Sequence, residues 1–385
     1  MNAKFKYYFF NDNCAHRISK ILELATGLNL SSSHGFWLLP MQVVRTLGKE
    51  NEKENFDLIK QEKYHPSLKR TFFDKFNLLS KKEKSDFIGF FTLSNPEQIE
   101  TAKTLNTKIL ILILDYLDIQ VAKGTAKDKD EKILNHLQTQ RSLILSQLWS
   151  YPTKSIKEYE EKGYQSNSLL TSQPASVVRA GFGRREGSSF IRTSYRVANN
   201  DFLNISNPGQ EISKFIMGEV ETEITEKSAR LTKATLIDIV NFNTNPLPIR
   251  VTKEFSWGMK VDYSPRSDVC SNCSTLGVEP KGGIATRLNS QLMLYGLTGG
   301  RIHTKQGNRG IFTWVSEVGA FINITRNILL GLSANYYNDP ILGHSEYILK
   351  GNVGFNMSRN YDFRVSVESD GEDMVSQINV GYFFD

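Results

Sequence analysis

The residues in this chain best equipped for covalent chemistry are its three cysteines, and the first of them, Cys14, lies in the stretch "FFNDNCAHRISKILELATG". Asp12 and Asn13 are good N-cap residues, Ile18, Ile21, Leu22 and Ala25 follow at helical spacing, and Gly27 supplies a stop. Cys14 is thereby expected in the first turn of an amphipathic helix. First-turn N–H groups and the helix dipole favour a thiolate, which is the nucleophilic form of cysteine. The competing reading is a small buried apolar residue, the commonest fate of a free cysteine. Cys270 and Cys273 form one C-x-x-C in "SDVCSNCSTLG", a loop-like segment. With no second pair or nearby histidine to complete four zinc ligands, they read as a local disulfide in an oxidising compartment, or as two free loop thiols in a reducing one.

The elements that must position these residues change character along the chain. From about Ser19 to Gly163 the apolar period is helical. "WLLPMQVVRTLGKE" predicts a helix starting near Pro40, and Ile133, Leu137, Ile144 and Leu148 share one face of a later helix, with Arg141 at the remaining position. The most apolar helix, "ILILILDYL" at 109–117, carries Asp115 and falls short of the roughly 20 residues a spanning helix needs. Beyond about Ser172 the period becomes two. In "NILLGLSANYY" Ile328, Leu330, Leu332, Ala334 and Tyr336 oppose Leu329, Gly331, Ser333, Asn335 and Tyr337. Some 11 or 12 such strands follow one another between turn-rich segments, longer than the usual ~5 to 6 residues of soluble strands.

The fold class is therefore α+β: an N-terminal, mostly α-helical region, then a C-terminal antiparallel β-barrel of about 12 strands. Long alternating strands with a polar, glycine-rich second face suit a transmembrane barrel, whose lumen is wet and whose outside is apolar. Tyr382, Phe383 and Phe384 are candidates for its aromatic girdle. A soluble barrel or sandwich gives the same alternation with the apolar face inward. Glu219, Glu221 and Glu223 alternate on one strand face, read as a solvated or lumen stripe in preference to a metal site. The 47 basic residues are interleaved with 41 acidic ones, giving a net charge of +6, so no nucleic-acid patch is expected. The residues call for no cofactor.

"FFNDNCAHRISKIL" resembles the cysteine motif of permuted papain-like enzymes related to lecithin retinol acyltransferase. The chain as a whole, through "WLLPMQVVRTL", "YHPSLKR", "ILDYLD", "TQRSLILSQLW", "FIRTSYRVANNDFL" and "FSWGMKVDYSP", resembles the bacterial envelope family with an Lnb-type N-terminal periplasmic domain, in the subgroup that ends in an outer-membrane barrel. The resemblance implies three parts: residues 1–30 as the C-terminal remnant of a papain-like cysteine domain, 31–165 as a helical region, and 172–385 as the barrel. It implies an outer-membrane location with the helical part periplasmic. It also implies thiol acyl transfer, in which Cys14 forms a thioester from a phospholipid and passes the acyl group to a lipoprotein amine or to water, with Asn13 orienting the turn.

In the permuted families the catalytic histidine precedes the cysteine, and none of the thirteen residues before Cys14 is a histidine. Of the six histidines present, His16 lies about 200° round the same helix and is expected to point away, while His34 follows through a loop. The reading is then of an N-terminally incomplete family member, a Cys-dependent acyltransferase or hydrolase only if the missing half is supplied. The alternative is a non-enzymatic barrel, a pore or scaffold, with a helical periplasmic domain.

Overall fold

The computed structural model describes residues 13–30, 38–53, 68–126, 131–152, 173–204, 213–244, 255–265, 274–289, 291–304, 311–325, 327–341 and 343–385. Among these residues seven helices precede twelve strands. The chain divides into two compact units, one holding residues 1–62 with the barrel and the other built mainly from residues 63–166.

In the helical unit, α3 (Leu68–Asn77), α4 (Lys81–Phe90), α5 (Asn95–Thr104), α6 (Thr107–Ala126) and α7 (Glu131–Leu148) share one core. The apolar run of α6 is buried on nearly every side, from Ile109 to Ile113 and again at Tyr116 and Leu117, as expected of a helix surrounded by its neighbours. Phe72, Phe87 and Phe91 pack edge-on or tilted around the Tyr116 ring, and Phe76 stacks on Phe72 and meets Phe87 edge-on. Asp115, the charge that interrupts the run, is neutralised by Lys75 at 2.7 Å. Ser80 and Glu83 close a capping box at the start of α4. On α7, Ile144 and Leu148 enter the core and Leu137 packs against it, while Arg141 pairs with Asp118 on α6. Ile133 departs from the expected face and is exposed, because the first turn of α7 extends past the core.

The other unit contains α1 (Cys14–Thr26), α2 (Pro40–Lys53) and the barrel. The twelve strands run from β1 (Ser176–Arg185) to β12 (Met374–Phe384), each antiparallel to its sequence neighbour, and β1 pairs with β12 from Ser176↔Phe384 to Arg185↔Val375. Closure leaves no sheet edge. The strands are 9 to 14 residues long, sufficient to cross a hydrocarbon core at a tilt. The β1–β2 hairpin turns on Glu186 and Gly187, both with positive φ (46° and 82°), the left-handed pair that a two-residue hairpin requires.

Candidate functional site

Asn13 caps α1 as its residue type predicts: its side-chain oxygen accepts from the backbone N–H of Ala15 at 3.0 Å and of His16 at 3.2 Å. Its Nδ2 donates to the Leu38 carbonyl at 3.0 Å, tying the turn to the segment that leads into α2. Cys14 is thus the first residue of the helix, and its thiol is free and exposed. The helix ends at Gly27, with φ 73° and its N–H on the Glu23 carbonyl.

The buried face of α1 differs from the one its strongest apolar residues suggest. Ala15 and Ser19 are the buried positions, and Ala15 packs with Leu38, Val43 and Leu22. Ile18, Ile21 and Ala25 instead lie exposed, on the same stripe as Cys14. The contact with α2 is narrow and takes small residues, so the larger side chains turn outward. His16 does not meet the thiol; its Nδ1 lies 3.1 Å from Asn13 Oδ1. Cys270, Cys273, His34 and His65 lie outside the described residues.

On α2, Arg45 is almost fully buried and reaches the far end of the chain: its Nη1 donates to Asp385 Oδ1 at 2.7 Å, and its Nη2 donates to the Gln173 carbonyl. Lys49 adds a second contact to Asp385 at 3.1 Å. Burial alone would raise the Asp385 carboxyl, but Arg45 and Lys49 hold it below the usual carboxylate range. These contacts fix α2, and with it the Cys14 helix, at the barrel end where β1 begins and β12 finishes.

The barrel wall sorts its side chains as a membrane-spanning barrel must. Val178, Phe182, Leu236, Ile284, Val318, Leu349 and Ile378 point outward and are exposed. Outward aromatics gather at strand ends: Tyr195, Tyr361, Tyr382 and Phe384 at the end near α2, with Tyr263, Trp314, Tyr336 and Tyr347 at the other. Phe383 is not part of this girdle. It is fully buried in the lumen beneath the Arg179 guanidinium, because period two sends it opposite to Tyr382 and Phe384.

Inside, the glutamate stripe of β3 (Ser213–Ile224) is a lumen stripe. Glu223 accepts from Arg185, Arg192 and Arg230 at 2.7 to 3.1 Å, while Glu219 accepts from Arg196 at 2.6 Å and Lys233 at 2.7 Å. A second network joins Asp262, Glu279 and Glu317 through Arg301 and Lys281. Among the described residues no group of acidic, histidine or cysteine side chains has metal-binding geometry. His303 is held in the lumen by Thr313 and the Thr304 carbonyl.

One lumen feature escapes sequence reasoning. The segment after β2 (Ser188–Asn200) turns into the barrel: Asp201 pairs with Arg196 and with Arg364 on β11 (Tyr361–Ser369), and the Leu203 carbonyl accepts from Asn356. Phe202 joins Phe242, Tyr295 and Phe321 in an aromatic cluster inside the wall, with ring centroids 4.5 to 6.1 Å apart. Gly354 makes the close approach possible, since a Cβ there would stand 3.1 Å from Leu203 Cβ. The only signal in the sequence is "NNDFLN", which reads as an ordinary turn-rich connection.

An apolar outer belt with aromatic girdles around a charged lumen defines a transmembrane β-barrel. The chain belongs to the family described as Domain of unknown function (DUF7840), whose model matches residues 171–383, the whole barrel. Residues 1–50 match the Lnb N-terminal periplasmic domain. The protein is accordingly an outer-membrane barrel whose N-terminal part is periplasmic. No curated protein matches the chain. Solved structures similar to it include the NanC porin (TM-score 0.35, 9% identity, over 53% of this chain and 98% of that one). They also include the KdgM porin in complex with disordered oligogalacturonate (0.33, 10%, over 54% and 99%). A third is the outer membrane protein Omp33 of Acinetobacter baumannii (0.30, 8%, over 55% and 99%).

Proposed function

We propose that the barrel is a membrane anchor for a periplasmic thiol acyltransferase or hydrolase in which Cys14 is the nucleophile. The observation that carries this reading is the exposed stripe Cys14, Ile18, Ile21 and Ala25 on α1, at i, i+4, i+7 and i+11. Among the described residues a free thiol heads an exposed apolar stripe, on a helix fastened through α2 to the barrel end beside the aromatic girdle. An acyl chain leaving the bilayer would find an apolar track leading to the sulfur. The chemistry is ester exchange: Cys14 Sγ attacks the acyl carbonyl of a phospholipid, the S–C bond forms, and the C–O bond to the glycerol oxygen breaks. The lysophospholipid leaves carrying the proton. The acyl group then passes to a lipoprotein amine as an amide, or to water as a fatty acid. Asn13 orients the turn by capping it. The lumen supports an anchoring role, since Phe202 and Leu203 cross it at the end nearest α2.

The test uses outer membranes carrying the protein expressed from its native gene, supplied with a phospholipid bearing an alkyne-tagged acyl chain. A hydroxylamine-labile tag on Cys14, absent from Cys14→Ala, is the expected result. Absence of a labile tag, or a tag that survives Cys14→Ala, overturns the enzymatic reading and leaves the non-enzymatic scaffold.

A further inference from the structure

Every strand pairing in the barrel joins neighbours in sequence except one, the β1–β12 seam, which closes the ring from opposite ends of the barrel sequence. A pairing so distant carries the largest loop-closure cost, and the strands that make it include Gly181, Gly183 and Gly381, which bring no side chain to it. A single guanidinium spans this seam at the end near α2. Gln173 stands just ahead of β1 and Asp385 just after β12; Arg45 Nη2 donates to the Gln173 carbonyl, and Nη1 donates to Asp385 Oδ1 at 2.7 Å. The Gln173 side chain in turn donates to Asn356 Oδ1 at 3.1 Å, at the end of β10 (His344–Asn356), which ties the same segment to the other flank of the seam. The Arg45 and Asp385 side chains are only 2% and 4% exposed. A buried guanidinium is tolerated only with its partners in place. These two partners come within reach of one guanidinium only when β1 and β12 are paired.

The character of α2 makes this contact decisive. Its buried face is Gln42, Val43, Arg45, Thr46 and Gly48, so among the described residues it docks mainly through directed polar bonds and little through apolar area. Directed bonds form only when their partners stand in register, whereas apolar burial tolerates displacement. Helices of 13 and 14 residues, the lengths of α1 and α2, are marginal in water unless a face is packed. The two are joined to each other by the small cluster of Ala15, Leu38 and Val43, with Leu22 against it, and by the Asn13 bond to the Leu38 carbonyl. When α2 leaves the barrel end, α1 loses its support. We propose that the α1–α2 pair is a closure sensor: Arg45 clasps both ends of the β1–β12 seam, α2 docks only on a closed ring, and the Cys14 helix is held in place only then. Coupling of this kind is reciprocal, so docking of α2 also holds the seam shut. It operates whether Cys14 is a nucleophile or not. In either case the thiol is presented beside the membrane by a finished barrel and not by an open one.

Hydrogen–deuterium exchange on the full chain in lipid nanodiscs tests the coupling from both sides. Arg45→Met should speed exchange roughly tenfold or more in β1 and β12 as well as in α1 and α2, and leave β6 (Ser274–Arg287) and β7 (Leu292–His303), on the opposite wall, as they are. Lys49→Met, which removes only an exposed contact to Asp385, should leave the seam protected. From the barrel side, Gly181→Ala sets a Cβ against the Ile378 backbone carbonyl of β12 and wedges the seam without touching α2. It should free α1 and α2 together with β1 and β12. Heat-modifiable migration shows that each barrel has closed before exchange is read, and Arg45→Lys, which keeps the charge and drops the fork, takes the place of Arg45→Met if the latter does not close. A seam as well protected in the Arg45 variant as in the wild type would make α2 a passive appendage and overturn the proposal. Faster exchange spread equally over β6 and β7 would make Arg45 a general stabiliser and overturn it as well. So would α1 and α2 amides that stay protected while Gly181→Ala loosens the seam.

Discussion

At the scale of single residues, the candidate site depends on how Asn13 and Arg45 are satisfied. Asn13→Ala removes the cap that holds the first turn of α1 and the bond to Leu38, and should cost about 1 kcal/mol. Hydrogen exchange at Ala15 and His16 should rise while the barrel amides stay protected. Arg45→Met strands a buried carboxylate at Asp385 with only the exposed Lys49 beside it, for a loss on the order of 3 kcal/mol. The same ion pair sets a pH dependence. The Asp385 carboxyl is depressed in the folded state relative to about 3.9 unfolded, so its contribution is full above that value and is lost as pH falls through the folded value. Limited proteolysis between α2 and the barrel should therefore accelerate below about pH 4 in the wild type. Asp385→Asn should show the faster cleavage already at neutral pH.

At the scale of elements, the strands were legible and the helix faces less so. Alternation in segments such as 328–339 fixes the strand and which side chains share a face, because a one-residue slip would move every side chain to the other face. For α1 the pattern located the helix and its caps correctly but not its buried side. Ala15 and Ser19 pack, while Ile18 and Ile21 do not, since a narrow contact with α2 selects small residues over hydrophobic ones. The inserted segment at 201–204 was beyond reach for another reason: its partners Arg364, Asn356 and Phe321 lie more than 100 residues away, and no local period announces them. This segment carries its own prediction. In planar bilayers the wild-type barrel should pass little current, and Phe202→Gly combined with Leu203→Gly should raise single-channel conductance several-fold. Equal conductance in the two proteins would show that the segment does not obstruct the lumen.

For the whole molecule, the inside-out distribution of polarity is the property that assigns it to a membrane. Val318 lies in the middle of β8 (Phe312–Thr325), exposed on the outer wall. Val318→Arg should cost about 2–4 kcal/mol on refolding into lipid, against little for Val318→Leu. Heat-modifiable migration on gels reads this out, since the folded barrel resists unfolding in detergent until boiled. The sequence by itself determined the division into helices and strands, the approximate strand number, the cap at Asn13 and the place of Cys14 at a helix start. These follow from local periods and end signals, which neighbouring residues enforce on one another. It left open whether the apolar strand faces look inward or outward, since alternation is symmetric between a soluble and a membrane barrel. Only the tertiary structure decided that, by closing twelve strands into a ring too small to leave Arg179, Glu219, Glu223, Asp262 and Arg301 anywhere but together in the lumen. It also decided which side of α1 is covered, because that depends on a contact with α2 that no local pattern announces.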